Sequence, residues 1–128
     1  MALDQNHLLN NALLDLYDTE FPAGSILEIR TTTAAGAESA AGGALLCSIT
    51  LPASPWSAAA TSAKTKNGTW SAAASGTGTA GHYRLKNAAD TRRLEGTVGQ
   101  GSGDLSLDNT SVNSGQTVTV STFQVTLP

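Results

Sequence analysis

The chain has 128 residues, a formal charge of −3 and only 13% charged residues, about half the charged share of a typical soluble domain. Its 20 alanines, 17 threonines, 13 serines and 13 glycines make almost half of the residues small. This composition excludes a coiled coil, a charge-driven disordered tail and a nucleic-acid-binding module of the usual basic kind.

The first predicted element is an amphipathic helix over residues 4–17. Its apolar residues recur at spacings of four, three and one, and Asp4 is placed to cap the start. The proline and glycine that follow Phe21 end the helix. This helix either covers one end of the domain or docks as an arm on a neighbouring subunit, through the stripe of Leu9, Leu13, Leu16 and Tyr17.

After Gly24 the apolar period changes from helical to two. The stretch Thr31–Gly43 consists almost wholly of small residues, which is typical of a long surface loop. An Asn-Gly pair at residues 67–68 predicts a β-hairpin turn, and residues 87–90 predict a second turn. The predicted strands cover residues 25–30, 44–51, 70–74, 82–86, 91–98, 104–108 and the C-terminal stretch.

In the strand over residues 82–86 the alternation predicts Tyr83 and Leu85 on the inner face. Arg84 and Lys86 then point outward, and His82 lies at the rim.

The apolar residues of the last strand change phase. Val118 and Val120 have one parity, whereas Phe123, Val125 and Leu127 have the other. Because side chains alternate between the two faces of a strand, all five reach one core only if a β-bulge resets the phase near residues 121–122, or if the strand passes between two sheets.

These elements predict a mainly β fold: an antiparallel β-sandwich, jelly-roll-like, with one short N-terminal α-helix. Residues 1–20 form the helical segment, and residues 21–128 form the sandwich domain. An immunoglobulin-like sandwich is disfavoured because its paired cysteines are absent.

No constellation of residues supports catalysis or metal binding. Only two histidines are present, without a His-x-His or Cys-x-x-Cys spacing, and no Gly-x-Ser-x-Gly elbow occurs. Cys47 lies within a predicted strand and is expected to be a small buried residue. We expect no enzyme activity, cofactor or metal.

Two further groups are candidates for contact with a partner. Arg84, Lys86, Arg92 and Arg93 lie on one predicted hairpin and could meet an acidic surface, although a solvated face is the simpler interpretation. Aromatic residues on a sandwich face can stack on sugars or sit in a subunit interface, and Trp56, Trp70 and Tyr83 are the candidates. With only six aromatic residues in the chain, packing in the core or in an interface is the simpler interpretation.

Several stretches resemble small structural proteins of tailed bacteriophages and prophages. They are the leucine helix of residues 10–16, the strands of residues 26–30 and 45–52, the small-residue run of residues 69–85, and the segments of residues 105–109 and 115–120.

The resemblance implies a virion component, above all a capsid decoration (cement) protein on the outer surface of the head, without catalytic residues. Its partners would be the major capsid protein or another virion protein, and copies of itself as a trimer or dimer. A tail or fibre component is the alternative, and a carbohydrate-binding module is the alternative from another class. Without a signal-peptide pattern at the start, the chain is expected to be made in the host cytoplasm and to reside in the virion. No membrane or nucleic-acid partner is expected. Either the helix of residues 4–17 or the loop Thr31–Gly43 would reach a neighbouring subunit.

Overall fold

The structure, a computed structural model, describes residues 4–127. It is mainly β with a short N-terminal helix, as the sequence predicts. The elements are α1 (His7–Asp15), α2 (Tyr17–Glu20), β1 (Ile26–Arg30), β2 (Leu45–Thr50), β3 (Ala63–Thr65), β4 (Ser71–Ala73), β5 (Gly78–Thr79), β6 (His82–Lys86), β7 (Arg93–Gly99), β8 (Leu105–Leu107), β9 (Ser111–Val112) and β10 (Thr117–Thr126).

Eight strands belong to a single sheet. Its order is β2-β1-β6-β7-β8-β10-β3, with β4 also paired to β10, while β5 and β9 form a separate ribbon. The sheet curls until β4 approaches β2, where the N–H groups of Ser75 and Gly76 donate to the carbonyl of Leu46 at 2.9 and 3.1 Å. The jelly-roll division into two packed sheets stays a prediction.

One strand pair departs from the predicted antiparallel pattern. β7 and β8 run parallel over two residue pairs, Val98 with Leu105 and Gly99 with Ser106. The loop between them is short because Gly101 and Gly103 adopt positive φ angles of 72° and 83°, which cost glycine little.

The predicted bulge in the last strand is confirmed. The register of β10 against β8 shifts between Val120 and Thr122. The shift lets Val118, Val120 and Phe123 all reach the core, where each is almost wholly buried.

The hairpin predicted at Asn67-Gly68 is wrong. β3 and β4, which flank this pair, do not pair with each other but with different stretches of β10. β10 is ten residues long and has room for both, so the tertiary pairing overrides the local turn preference.

A two-residue hairpin turn lies instead at Thr61-Ser62. Both residues have positive φ, 51° and 61°, as a type I′ turn requires. Ala60 and Ala63 exchange both backbone hydrogen bonds at 3.0 Å. Two residues with a Cβ are strained in this geometry, so the turn needs support from its surroundings.

The N-terminal helix is shorter than predicted. α1 begins after Asn6, which has an extended backbone. The side-chain oxygen of Asn6 accepts a hydrogen bond from the N–H of Leu9 at 3.0 Å, so the N-cap is Asn6 and not Asp4. The helix breaks at Leu16, and α2 adds one turn before Phe21.

The core is the inside of the curled sheet. Leucine, isoleucine and valine side chains fill it from every strand of β1, β2, β6, β8 and β10. All six aromatic residues join one chain of ring contacts with centroids 5.0 to 5.7 Å apart, an arrangement that adds stability beyond burial alone; these residues are Tyr17, Phe21, Trp56, Trp70, Tyr83 and Phe123.

Candidate interaction surface

A row of exposed leucines runs along α1 and includes Leu16, the residue that follows it. Leu8 is 80% exposed, Leu9 49%, Leu13 40% and Leu16 54%. We call these four residues the leucine face. Apart from Leu45 on β2, they are the exposed large hydrophobic residues of the described chain. Apolar residues grouped on one surface and open to solvent are candidates for contact with another molecule.

The helix turns its polar side toward its own domain. Asn10 and His7 hydrogen-bond the hydroxyl of Ser62, and Asn11 accepts from the Ser62 N–H at 3.0 Å. Leu14 is the leucine of α1 that is buried. These contacts support the strained turn at Thr61-Ser62, and they fix which way α1 faces: the leucines point out because the asparagines point in.

A buried cation ties the end of the helix to the sheet. The side chain of Lys64 on β3 is 0% exposed, and its ammonium donates to Asp15 at 2.7 Å and to Asp18 at 3.0 Å. Burial lowers the pKa of Lys64, but the bonds to the two carboxylates outweigh it and raise the pKa. The bond from Lys64 lowers the pKa of Asp15, which also accepts from the N–H of Ala59 at 2.9 Å.

Tyr17 anchors α2 in the aromatic core. It is half-buried, and its ring meets Phe21 and Trp56 edge-on with centroids 5.5 and 5.6 Å apart. Burial raises its pKa. Of the predicted helical stripe, Tyr17 therefore holds the segment in place, whereas Leu9, Leu13 and Leu16 are open to contact.

The predicted basic patch is not a free positive surface. Arg84 is buried, which corrects the prediction that it points outward, and it pairs with Glu95 at 2.7 Å. Arg92 pairs with Glu20 of α2 at 3.0 Å, and Arg93 pairs with Asp90 at 2.7 Å.

The remaining cation of that patch is paired as well. Lys86 lies 3.3 Å from Glu28, a buried carboxylate that also bonds Arg30. Burial raises the pKa of Glu28, but the two cations outweigh it and lower the pKa. Each of the four predicted cations therefore has a carboxylate partner within the chain.

The loop Thr31–Gly43 is the reason that Arg84 is buried. The Arg84 guanidinium donates to the carbonyls of Gly36 and Ser39 at 3.0 and 2.7 Å, and Glu95 accepts from the Gly36 N–H at 2.8 Å. The loop is thus folded back on its own sheet. Its base also covers His82, which is buried rather than at the rim and bonds the Thr32 carbonyl at 3.1 Å.

The aromatic candidates for sugar stacking are in the core. Trp70 is 0% exposed, and Trp56 and Tyr83 are nearly so. The indole of Trp56 donates to the Phe21 carbonyl at 2.9 Å. All three rings are thus buried in the core, where sugar stacking would not reach them.

No group of three or more His, Cys, Asp or Glu residues within positions 4–127 could hold a metal ion. Cys47 is buried, and burial raises the pKa of its thiol. The two shallow cavities, of about 170 and 160 Å³, are open surface notches.

Comparison with known proteins assigns no relative to this chain. No family model, curated protein or solved structure matches it. Among the described helices, none is long and apolar enough to cross a membrane.

Sequence reasoning identified the leucine stripe but missed the residues that orient it. Ser62 and Lys64 lie about fifty positions away in the chain. The one available sign was the pair Asn10-Asn11 inside a helix, because asparagine is a poor helix former and needs a specific bond there.

Proposed function

We propose that this protein is a non-enzymatic structural protein that attaches to a larger protein assembly through the leucine face. The observation that carries the proposal is the orientation of α1. A helix that only covered its own domain would bury its apolar stripe, whereas this one buries Asn10 and Leu14 and exposes the leucine face.

The resemblance to phage structural proteins favours the virion as that assembly. A capsid decoration protein acts by binding to the head and needs no catalytic residues. The contacts that it adds between capsid subunits oppose the pressure of the packaged DNA. The small, weakly charged side chains of this domain lose little conformational entropy on assembly. A tail or fibre component remains the alternative, because the same leucine face would serve there.

Of the two segments expected to reach a neighbour, α1 is favoured over the loop Thr31–Gly43. The loop is held to its own sheet by Arg84 and Glu95, whereas the leucine face has no cover. The carbohydrate-binding alternative is disfavoured, because the rings expected to stack on sugars, Trp56, Trp70 and Tyr83, are buried.

The test is a pair of matched leucine variants. The double variant Leu9→Gln with Leu16→Gln replaces two leucines that are each about half exposed. The exposed apolar surface that it removes is about that of one whole leucine side chain. Loss of that burial at about 1.5–3 kcal/mol weakens binding about 10- to 100-fold. Leu45→Gln on β2 is the control, because it makes the same chemical change outside α1.

Binding is measured on particles of the encoding phage assembled without this chain, with the purified variants added back and quantified after sedimentation. Tryptophan fluorescence and thermal unfolding verify that each variant is folded. Retention of wild-type binding by the double variant, or an equal loss in Leu45→Gln, would contradict the proposal.

A further inference from the structure

We infer that the leucine face binds an apolar groove with a basic rim on another protein, rather than the leucine face of a second copy of this chain. The inference rests on the proposed function and specifies the chemistry of its partner.

The spacing of the leucines fits a groove. Leu9, Leu13 and Leu16 stand at positions i, i+4 and i+7, the anchor pattern with which an amphipathic helix enters a hydrophobic groove. Leu8, the most exposed of the four, widens the face on one flank. A partner that contacts all four leucines has to wrap around the helix from more than one side.

A second copy offers too little surface. α1 has nine residues, which is a length of about 14 Å. The exposed parts of its four leucines add up to about two whole leucine side chains. A stable interface uses about 20–30 residues on each side, and two short convex helices share only a narrow seam. A concave partner supplies the missing contacts from its own walls.

The charges around the helix also disfavour self-pairing. The segment from residue 4 to residue 29 contains five carboxylates and no lysine or arginine. Four of them, Asp4, Asp15, Asp18 and Glu20, lie on or beside the two helices. Among the described residues, their ion-pair partners are Lys64 and Arg92, so the four carboxylates outnumber the cations paired with them by two.

Those charges repel a second copy and attract a basic partner. Two leucine faces in contact would bring two such acidic rims together, and like charges in an interface suppress pairing. Asp15 and Asp18 remain about half exposed even while bonded to Lys64. Lysine or arginine on the rim of a groove would reach these carboxylates and complete their bonding.

The experiment measures binding to particles assembled without the chain, as a function of salt and of single charges. Asp4→Asn removes one exposed carboxylate three residues before the start of α1. Gln100→Lys makes the same change in net charge on the exposed β7–β8 loop and is the control. We expect the dissociation constant to rise about tenfold between 50 and 500 mM NaCl, and about two- to fivefold in Asp4→Asn with Gln100→Lys unchanged.

The outcomes separate this inference from the proposed function. If the Leu9/Leu16 variant loses binding while salt and Asp4→Asn have no effect, the basic rim is wrong and the proposed function stands. If the leucine variant binds normally, the proposed function itself fails. Sedimentation of the free chain at 100 µM gives the remaining check: an oligomer that the Leu9/Leu16 variant dissociates would overturn the inference in favour of a second copy.

Discussion

Lys64 sets a strong constraint on how the N-terminal helix is held. Its side chain is wholly buried, and within residues 4–127 its ammonium forms ion pairs with Asp15 and Asp18. In the variant Asp15→Asn with Asp18→Asn, the amide of residue 15 can still accept from Ala59, but the ammonium loses both negative partners. The perturbation therefore isolates the charge.

The magnitude follows from the burial of each partner. Breaking a fully buried ion pair by removing one side costs about 3–5 kcal/mol. Asp15 and Asp18 are 46% and 54% exposed, so solvent screens part of the interaction and we expect about 2–4 kcal/mol. Lys64→Met removes the buried charge itself and fills similar volume, which is expected to cost less than about 1 kcal/mol.

The assay is thermal or urea unfolding followed by tryptophan fluorescence. For a chain of this length each kcal/mol lowers Tm by about 3–5 °C. Combining Lys64→Met with the two asparagine substitutions should recover most of the stability lost by the asparagines alone, because the uncompensated charge is gone. The reasoning is refuted if Lys64→Met is as destabilising as the double asparagine variant, or if the triple variant is less stable than both.

Three other predictions test the packing and the titration of the fold. The Cβ of Gly81→Ala would stand 2.1 Å from the Thr32 carbonyl oxygen, so this variant should lose about 1–3 kcal/mol of unfolding free energy. The control Gly42→Ala, whose Cβ has its nearest atom at 3.4 Å, should lose less than about 0.5 kcal/mol. Urea unfolding compares the two variants, and equal stability would contradict the close packing at Gly81. The bond to Lys64 lowers the pKa of Asp15 from 3.8, so the contribution of Asp15 to stability is complete above pH 3.8 and is lost as the pH falls through the lower folded-state pKa. Between pH 7 and pH 2 the unfolding midpoint should therefore fall more steeply in the wild type than in Asp15→Asn. Parallel curves would refute this link between the pKa and stability. Cys47 should not react with a thiol reagent at pH 8 in the folded protein, because burial raises the pKa of its thiol and the thiolate is the nucleophile. Labelling of the folded protein as fast as that of the urea-unfolded chain would contradict this burial.

The sequence was informative where a pattern depends on neighbouring residues alone. The change of phase between Val120 and Phe123 predicted either a bulge or a strand that passes between two sheets, and the register shift shows the bulge. The turn at residues 87–90 was predicted from its own residues, and it joins β6 to β7 as expected.

Other features depend on residues that are distant in the chain. The alternation that put Arg84 outside was correct about the strand, but it could not show that the loop Thr31–Gly43 would cover that face. The Asn-Gly pair at residues 67–68 has a strong turn preference that β10 overrides by pairing with both flanking strands. The strained turn at Thr61-Ser62 is supported by α1, whose asparagines reach it across about fifty residues.

Of the leucine face, the sequence predicted the residues but not their exposure to solvent, because the exposure depends on residues that are distant in the chain. Spacing alone shows that Leu9, Leu13 and Leu16 share one face of a helix. It cannot show whether that face meets the sheet or the solvent, because this is decided by Ser62 and Lys64 on the other side of the helix. The orientation of α1 is therefore a tertiary property, and the proposal for its function depends on it.

Site-specific photo-crosslinking in assembled particles tests the central claim most directly. A benzophenone amino acid replaces Leu9 in one version of the chain and Leu45 in a control version, and the crosslinked peptides are identified by mass spectrometry. We predict that position 9 crosslinks at one defined site to another virion protein, whereas position 45 does not. Crosslinks from position 9 that stay within the chain, or that match those of position 45, would contradict the assignment of the leucine face as the attachment surface.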